Sequence, residues 1–562
     1  MGKKARSKSR ELRVLTLGLA LALIWSSVGL KLWDLQVVQA ADLKESALEQ
    51  TLRTQDLEAT RGTIFDRTGQ ILAFTIDSDS IYATPADIED PMGTSLVLSA
   101  ALGLPLDQVL AAIQKDTGFV WLKRHLELEE AAAVAALDLP GIHAVVEPKR
   151  VYPMGVNVAH TVGFVDPDGT GIEGIEYQYN DLLAGRAGFI QEEWGKNNVP
   201  IPQSEVDTVP AVPGADLITS IDLSIALVAR EACEAALVRT GGLRCSVVVM
   251  DPRSGEILAM ETGPSFDPED VGNADPLTLQ NMSVRYLYEP GSIMKAVTVS
   301  AAIEEGAVNP NTWLEVPTSI DLDEFTIRDT GRDETESMQV RSIITRSSNV
   351  GTILIQQALG DELHRQYLYR FGFGQPTGVD ISGEAIGQLN VDATCSTCLP
   401  SAAIGYAVNT TLLQMASVYA TIANNGIWVQ PHLVREIVTA GESMPFVPER
   451  REVISSATAA TVRLLLQSVV ESDQGTGRNA AIEGYSVGGK TGTTRVYDGG
   501  KYHEDRHIAS FVGMAPINDP RLVIAVMVQE PINGYFGSQA AAPVFAEVMR
   551  AALLDLGVQP DE

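Results

Sequence analysis

Three short runs bring together residue types that act on an acyl group: Ser292-Ile293-Met294-Lys295, Ser347-Ser348-Asn349 and Lys490-Thr491-Gly492. Each alone is cheap, since a Ser-x-x-Lys is expected about once by chance in a chain this long. Together they supply a serine nucleophile with a lysine one helical turn away, a second hydroxyl with an amide, and a cation on a glycine-containing strand. Pro290-Gly291 marks a loop-to-helix junction, and Ile293 to Glu305 reads as a helix. The sequence therefore predicts Ser292 at a helix N-terminus, where unpaired N–H groups favour developing negative charge. Lys295 falls on the same face as Ser292. To act as a base it needs a lowered pKa, through burial or a nearby cation, and Lys490 is the natural cation. Ser347 could relay a proton and Asn349 could bond a substrate amide.

Thr491 and Thr493 flank Gly492 on one predicted strand, so both hydroxyls share a face while Gly492 leaves room for a ligand backbone. Two hydroxyls beside a lysine ammonium make a carboxylate-binding edge. The implied substrate is a peptide-like acyl donor with a free C-terminal carboxylate.

The elements that must position these groups are read from period and punctuation. Leu223 to Arg239 is an Ala-rich helix. Cys245 to Met250 and Glu256 to Met260 flank the turn Asp251 to Gly255 as a strand pair. Helical stretches fill most of 292 to 430. Strands follow at Ser486 to Arg495, His507 to Met514 and Arg521 to Gln529, then a helix from about Ala540 to Leu556. Two early strands, many helices, three late strands and a closing helix imply an α+β domain over 214–556 whose sheet unites both ends of the segment. Upstream, Ala41 to Ala59 reads as a polar helix, Arg61 to Ala73 as a hairpin, 96 to 138 as helical, and 149 to 190 as short strands and turns. Pro200, Pro202, Pro210 and Pro213 mark a linker between Asn197 and Gly214. A non-catalytic N-terminal domain is thus expected over 41–205.

The chain has 562 residues, 45% hydrophobic and 20% charged, which suits a multidomain globular protein. Its 41 basic and 72 acidic residues give a net charge of −31, a poor match to nucleic acid. Basic residues crowd 1–13, and an uncharged run from Val14 to Leu30 follows. With Lys31 and Trp33 at its edge, the segment 14–33 is expected to anchor the chain in a membrane. The basic tail would stay cytoplasmic and the body would lie outside. A cleaved signal peptide ending near Val38-Gln39-Ala40 is the rival, disfavoured because that sequence lies far beyond an apolar run already long for a signal. About a dozen residues before the span are too few for a signalling output domain.

These motifs resemble the class B penicillin-binding proteins, monofunctional peptidoglycan D,D-transpeptidases, over nearly the whole chain. The resemblance also rests on Arg61 to Ala73, on Tyr152-Pro153, and on Ala159-His160-Thr161-Val162-Gly163-Phe164-Val165. The short Asp166 to Glu176 connection is similar to the division-specific branch. It implies a penicillin-binding, β-lactamase-like α+β domain, with helices around an antiparallel five-stranded sheet. An elongated pedestal, which in this family can dimerise, and one transmembrane helix would precede it. It also implies roles. Ser292 attacks the penultimate D-Ala carbonyl, Lys295 takes its proton, Ser347 helps shuttle it, and Asn349 holds the donor amide. Lys490, Thr491 and Thr493 bind the terminal carboxylate, and the N–H groups of Ser292 and Thr493 form the oxyanion hole. An amine from a second stem peptide resolves the acyl-enzyme, β-lactams acylate Ser292, and no cofactor or metal takes part. Expected partners are lipid-linked stem peptides, the membrane, a glycosyltransferase and other division proteins. An elongation-type transpeptidase, a D,D-carboxypeptidase using water, and a non-catalytic division scaffold are the alternatives. Gly405 to Gln414 departs from the family pattern, which usually has a second Gly near Ala407 and a Pro near Leu412.

Other patterns mislead. Gly484 to Thr491 fits a P-loop spelling, and Gly484 to Gly488 a Gly-x-Ser-x-Gly, but neither is followed by the required helix. Cys395-x-x-Cys398 lacks the second ligand pair of a zinc site, so a local disulfide is expected, with Cys233 and Cys245 in core elements. His160 reads as structural. Arg61, Asp66 and Arg67 read as an ion-pair cluster.

Overall fold

A computed structural model describes residues 3–44, 52–195, 201, 207–323, 325–329, 331–392 and 395–562. By packing, the chain divides into two units, 1–60 with 185–213 and 61–184 with 214–562.

The first unit holds helix α1 (Lys3–Trp33), which runs on through one wider turn to Val38. Arg10–Val38 is long and apolar enough to cross a membrane, with a mean hydropathy of 1.7 in its most apolar window. The stretch expected as a polar helix behaves differently. Leu52–Leu57 is a strand, paired antiparallel with Gly188–Glu193, which in turn pairs with Asp207–Val209. Pairing with chain more than 130 positions away overrides a local helical preference. Residues 45–51, and most of the Pro-rich stretch at 197–200 and 202–206, lie outside the described residues.

In the second unit the expected hairpin is present as β1 (Ile64–Phe65) and β2 (Ile71–Ala83). Its turn is held by Asp66, which accepts from the Thr68 and Gln70 amides. Among the described residues neither Asp66 nor Arg67 forms an ion pair, so the cluster expected of Arg61, Asp66 and Arg67 is not present. Arg61 pairs instead with buried Glu176, whose other oxygen accepts from Arg150 at 2.6 Å. Beyond β2 lie β3 (Val120–Lys123) and β4 (Ile142–Val151), both paired with it, and three short helices within 91–135 packed as a separate apolar cluster. On the other side β1 runs parallel to β5 (Asp216–Thr219).

Helix α2 (Leu223–Thr240) leads into β6 (Arg244–Met250) and β7 (Ile257–Gly263). Helices α3 (Lys295–Glu304), α4 (Asn349–Leu359) and α5 (Leu412–Ala423) follow. The hairpin β8 (Val434–Thr439) and β9 (Glu442–Pro445) then completes the sheet order β9-β8-β5-β1-β2-β3, with β4 also on β2. The late strands β10 (Gly488–Asp498), β11 (Lys501–Ala515) and β12 (Leu522–Gln529) precede α6 (Ala542–Asp555). Their sheet runs β7-β6-β12-β11-β10 with every pair antiparallel. This is the α+β fold expected, two early strands joined to three late ones.

Helices α2 and α6 pack on each other and on the sheet, and α5, buried along its whole length, packs on it too. Strands β6, β7 and β12 are almost wholly buried, so both sheet faces are covered. Both cysteine pairs are disulfides. Cys395–Cys398 is the local one expected, and Cys233–Cys245 ties α2 to β6 with Cα atoms 5.4 Å apart.

Candidate active site

Ser292 lies on a single 3-10 turn, Gly291–Met294, and the α-helix proper begins at Lys295. The turn is pinned from three sides. The Gly291 amide donates to the Gly405 carbonyl at 3.0 Å, and Tyr419 on α5 donates to the Ile293 carbonyl at 2.9 Å. The third side is β10. A Cβ on Gly492 would stand 2.8 Å from the Pro290 carbonyl oxygen and 2.3 Å from Ser510 Oγ. Gly492 thus gives the Ser292 turn its seat on the strand, a closer neighbour than the ligand that its spacing suggested.

Lys295 is wholly buried. Its Nζ donates to the Ser347 carbonyl and to Asn349 Oδ1, each at 2.7 Å, and to Ser347 Oγ at 3.3 Å. No hydrogen bond joins it to Ser292 among the described residues, a looseness common before substrate binds. Burial brings its pKa down to about 7, with Asp329 pulling the other way. The pressure expected from Lys490 runs in reverse. Lys490, also wholly buried, is pushed well down by burial and then by the charge of Lys295. Two ammonium groups in one dry site each make the other harder to charge. A lysine near 7 is matched to taking a proton from a hydroxyl at physiological pH.

Ser347 holds a left-handed backbone, φ 59°, which costs about 1–2 kcal/mol outside glycine. Such strain turns its carbonyl toward Lys295. Ser348 is the N-cap of α4, accepting from the Gly351 amide at 2.9 Å. On β10, Thr491 and Thr493 line the cavity together, as alternation required, while Lys490 lies beneath them. Its Nζ reaches round to the Thr491 carbonyl at 3.2 Å and Thr491 Oγ1 at 3.4 Å. Thr491 donates to Thr476 at 3.1 Å, and Thr493 Oγ1 accepts from the Gly537 amide at 2.9 Å.

These groups open into one cavity of about 510 Å³, lined by Ser292, Ser347, Asn349, Thr491 and Thr493. A second cavity, about 260 Å³ between Phe373, Trp428 and Arg451, holds none of them. Sequence spacing missed Asp329, Arg332, Thr476 and Phe536 on the wall of this cavity, which come from loops with no pattern of their own. It also missed Glu289, which accepts from Tyr502 at 2.9 Å and from the Ala407 amide at 3.1 Å.

The departures at 405–414 have local costs. Ala407 takes φ 61°, where glycine is easier, and Leu412 is the first residue of α5, where Pro forfeits no helical bond. The false friends resolve as strand and packing. Gly488 opens β10 where a P-loop needs a helix, and Ser486 donates to Asp561 at 2.5 Å. His160, buried and held down to about 4, bonds the Thr278 carbonyl at 2.7 Å.

Residues 245–550 match the family described as the penicillin binding protein transpeptidase domain, and 56–219 the penicillin-binding protein dimerisation domain. The chain is 34% identical to penicillin-binding protein PbpB of Mycolicibacterium smegmatis, covering 97% of this chain and 90% of that protein. It is 31% identical to peptidoglycan D,D-transpeptidase FtsI of Escherichia coli, covering 97% and 91%. Among solved structures it resembles penicillin binding protein 3 of Mycobacterium tuberculosis complexed with aztreonam. There the TM-score is 0.72 and the identity 29%, with 90% of this chain and 98% of that one covered.

Proposed function

The chain belongs to the class B penicillin-binding protein transpeptidases, and from that premise we propose that it crosslinks peptidoglycan stem peptides through an acyl-enzyme on Ser292. The observation that carries this reading is Lys295, buried, poised near neutrality and bonded to Ser347 and Asn349 at the wall of the cavity that holds Ser292.

In this reading the donor's terminal carboxylate lies on the hydroxyls of Thr491 and Thr493, with Gly492 between them and Lys490 beneath. Its arrival would hold Lys490 protonated, because an anion offsets the burial that otherwise strips the charge. Neutral Lys295 takes the Ser292 proton as Oγ attacks the penultimate D-Ala carbonyl. The N–H groups of Ser292 and Thr493 receive the oxyanion, and Asn349 orients the donor amide. Ser347 carries the proton onward to the departing D-Ala amine. An acceptor amine then attacks the ester, and Ser292 recovers its proton. β-Lactams enter the same sequence and stop at the ester.

The division of labour is also proposed. Residues 1–13 form a cytoplasmic tail, 14–33 the membrane anchor, 41–205 the non-catalytic pedestal and 214–556 the catalytic domain outside the membrane. The boundary is functional, since by packing 61–184 joins the catalytic half. Similarity to FtsI and to stage V sporulation protein D of Bacillus subtilis supports a septal role, beside a glycosyltransferase and other division proteins.

The test is acylation of the full chain by a labelled penicillin, with peptide mapping. Label on Ser292 in the wild type and none in Ser292→Ala is expected; Ser292 caps no helix, so the variant should fold normally. Label on Ser347 or Ser486, or a labelled Ser292→Ala, defeats the reading. Supplying a pentapeptide donor with an acceptor amine separates crosslinked product from the tetrapeptide of a carboxypeptidase.

A further inference from the structure

Asp329, on the loop that closes one wall of the cavity, holds the start of α4 from outside. Ser348 caps only the third amide of that helix, Gly351. The first two would be orphans, and Asp329 Oδ1 accepts both, from Asn349 at 2.6 Å and Val350 at 3.2 Å. Its Oδ2 accepts from Ser348 Oγ at 2.5 Å and pairs with Arg332 at 3.1 Å. Asp329 and Arg332 are each only 8% exposed, so these charge-assisted bonds lie in a dry place. The clamped turn is the one with strained Ser347, and its carbonyl and the Asn349 side chain are the acceptors of Lys295.

Resting on the acyl-enzyme reading above, we propose that Asp329 is a positioning residue for acyl transfer. It clamps the Ser347–Asn349 turn against Lys295 and supplies the negative charge that faces this buried lysine. The other neighbours leave that role to it. Strand β10 presents Lys490, and the start of α4 presents only neutral Ser347 and Asn349. From the helix Asp361–Arg370 comes His364, held neutral by burial, near Thr298 one turn along α3. The segment Cys398–Ala403 has no charged residue. On the helix Ser456–Glu471, Arg463 is engaged with Asn425 and Glu471 with Gln467. Asp329 is the charge that opposes the burial of Lys295.

The consequence is kinetic. Lys295 works as a base in its neutral form, so acylation should rise with pH through its pKa and level off above it. Asp329→Asn keeps an acceptor oxygen and removes the charge. Without that charge Lys295 loses its proton more readily, and the acid limb should move to lower pH by roughly half a unit or more. The plateau should fall roughly 5–20-fold, because the clamp loses its charge-assisted bonds. Asp329→Glu restores the charge on a longer arm, so its limb should return to the wild-type pH while its plateau stays low.

The experiment measures second-order acylation of the full-length protein by a fluorescent penicillin from pH 5 to 9, roughly the window around a lysine near 7, beside thermal melts. A merely structural Asp329 would lower the plateau and leave the limb in place. An Asp329→Asn limb at the wild-type pH overturns the proposal, as does an Asp329→Glu limb displaced as far as the Asn limb. Should the Asn variant not fold, Asp329→Ser, a smaller uncharged acceptor, takes its place: its limb should also move to lower pH, and a limb at the wild-type pH overturns the proposal. A wild type that takes no label on Ser292 overturns the functional reading instead.

Discussion

Replacing Gly492 by Ala tests whether the Ser292 turn is seated by close packing on β10. The new Cβ meets two atoms. Ser510 Oγ, 2.3 Å away, can rotate aside, but the Pro290 carbonyl oxygen at 2.8 Å belongs to the backbone that carries Ser292. Restoring an ordinary contact of 3.4 Å lifts the turn by about 0.6 Å. A misplacement of about 1 Å costs roughly 100-fold in a positioned reaction, so a lift of this size should slow acylation on the order of tenfold. Overpacking adds roughly 1–3 kcal/mol of lost stability. Stopped-flow acylation with a fluorescent penicillin separates initial binding from ester formation, and urea melts give the stability. The loss should fall on ester formation. If ester formation keeps its wild-type rate and only initial binding weakens, Gly492 is there to admit the ligand, and the seating argument is refuted.

Other perturbations probe the frame. Glu261 on β7 is wholly buried, and burial pushes its pKa up to about 8, against the charge of Arg230 and the Val158 amide. The unfolded chain releases this proton near 4.5, so wild-type stability should decline as pH rises from about 4.5 to 8. Glu261→Gln should flatten that decline in melts at pH 5 and 8, and an unchanged slope would count against it. Glu176→Ala leaves the buried guanidinium groups of Arg61 and Arg150 facing each other without their carboxylate. That should cost about 3–5 kcal/mol in urea unfolding, and a loss under about 1 kcal/mol would show the triad to be dispensable.

Residue type and spacing pointed to acyl-group chemistry, and the family resemblance gave the residues their expected roles. Ser292 and Lys295, Thr491 and Thr493 are each separated by a helix turn or a strand period, so local geometry dictated which shared a face. The two early and three late strands announced themselves by apolar runs and turns, and with them the α+β sheet that joins the ends of the catalytic segment. Tertiary structure decided what depends on distant chain. Burial, not a neighbouring cation, lowers Lys295, and burial is a property of every element packed around it. Asp329 reaches Asn349 across 20 positions, and Arg61 reaches Glu176 across 115. Leu52–Leu57 became a strand because a partner strand lies beside it. Gly492 took its meaning from Pro290, two hundred positions earlier, brought within contact only when the sheet closed. A local period reports which way a side chain faces; only the folded chain reports what it faces.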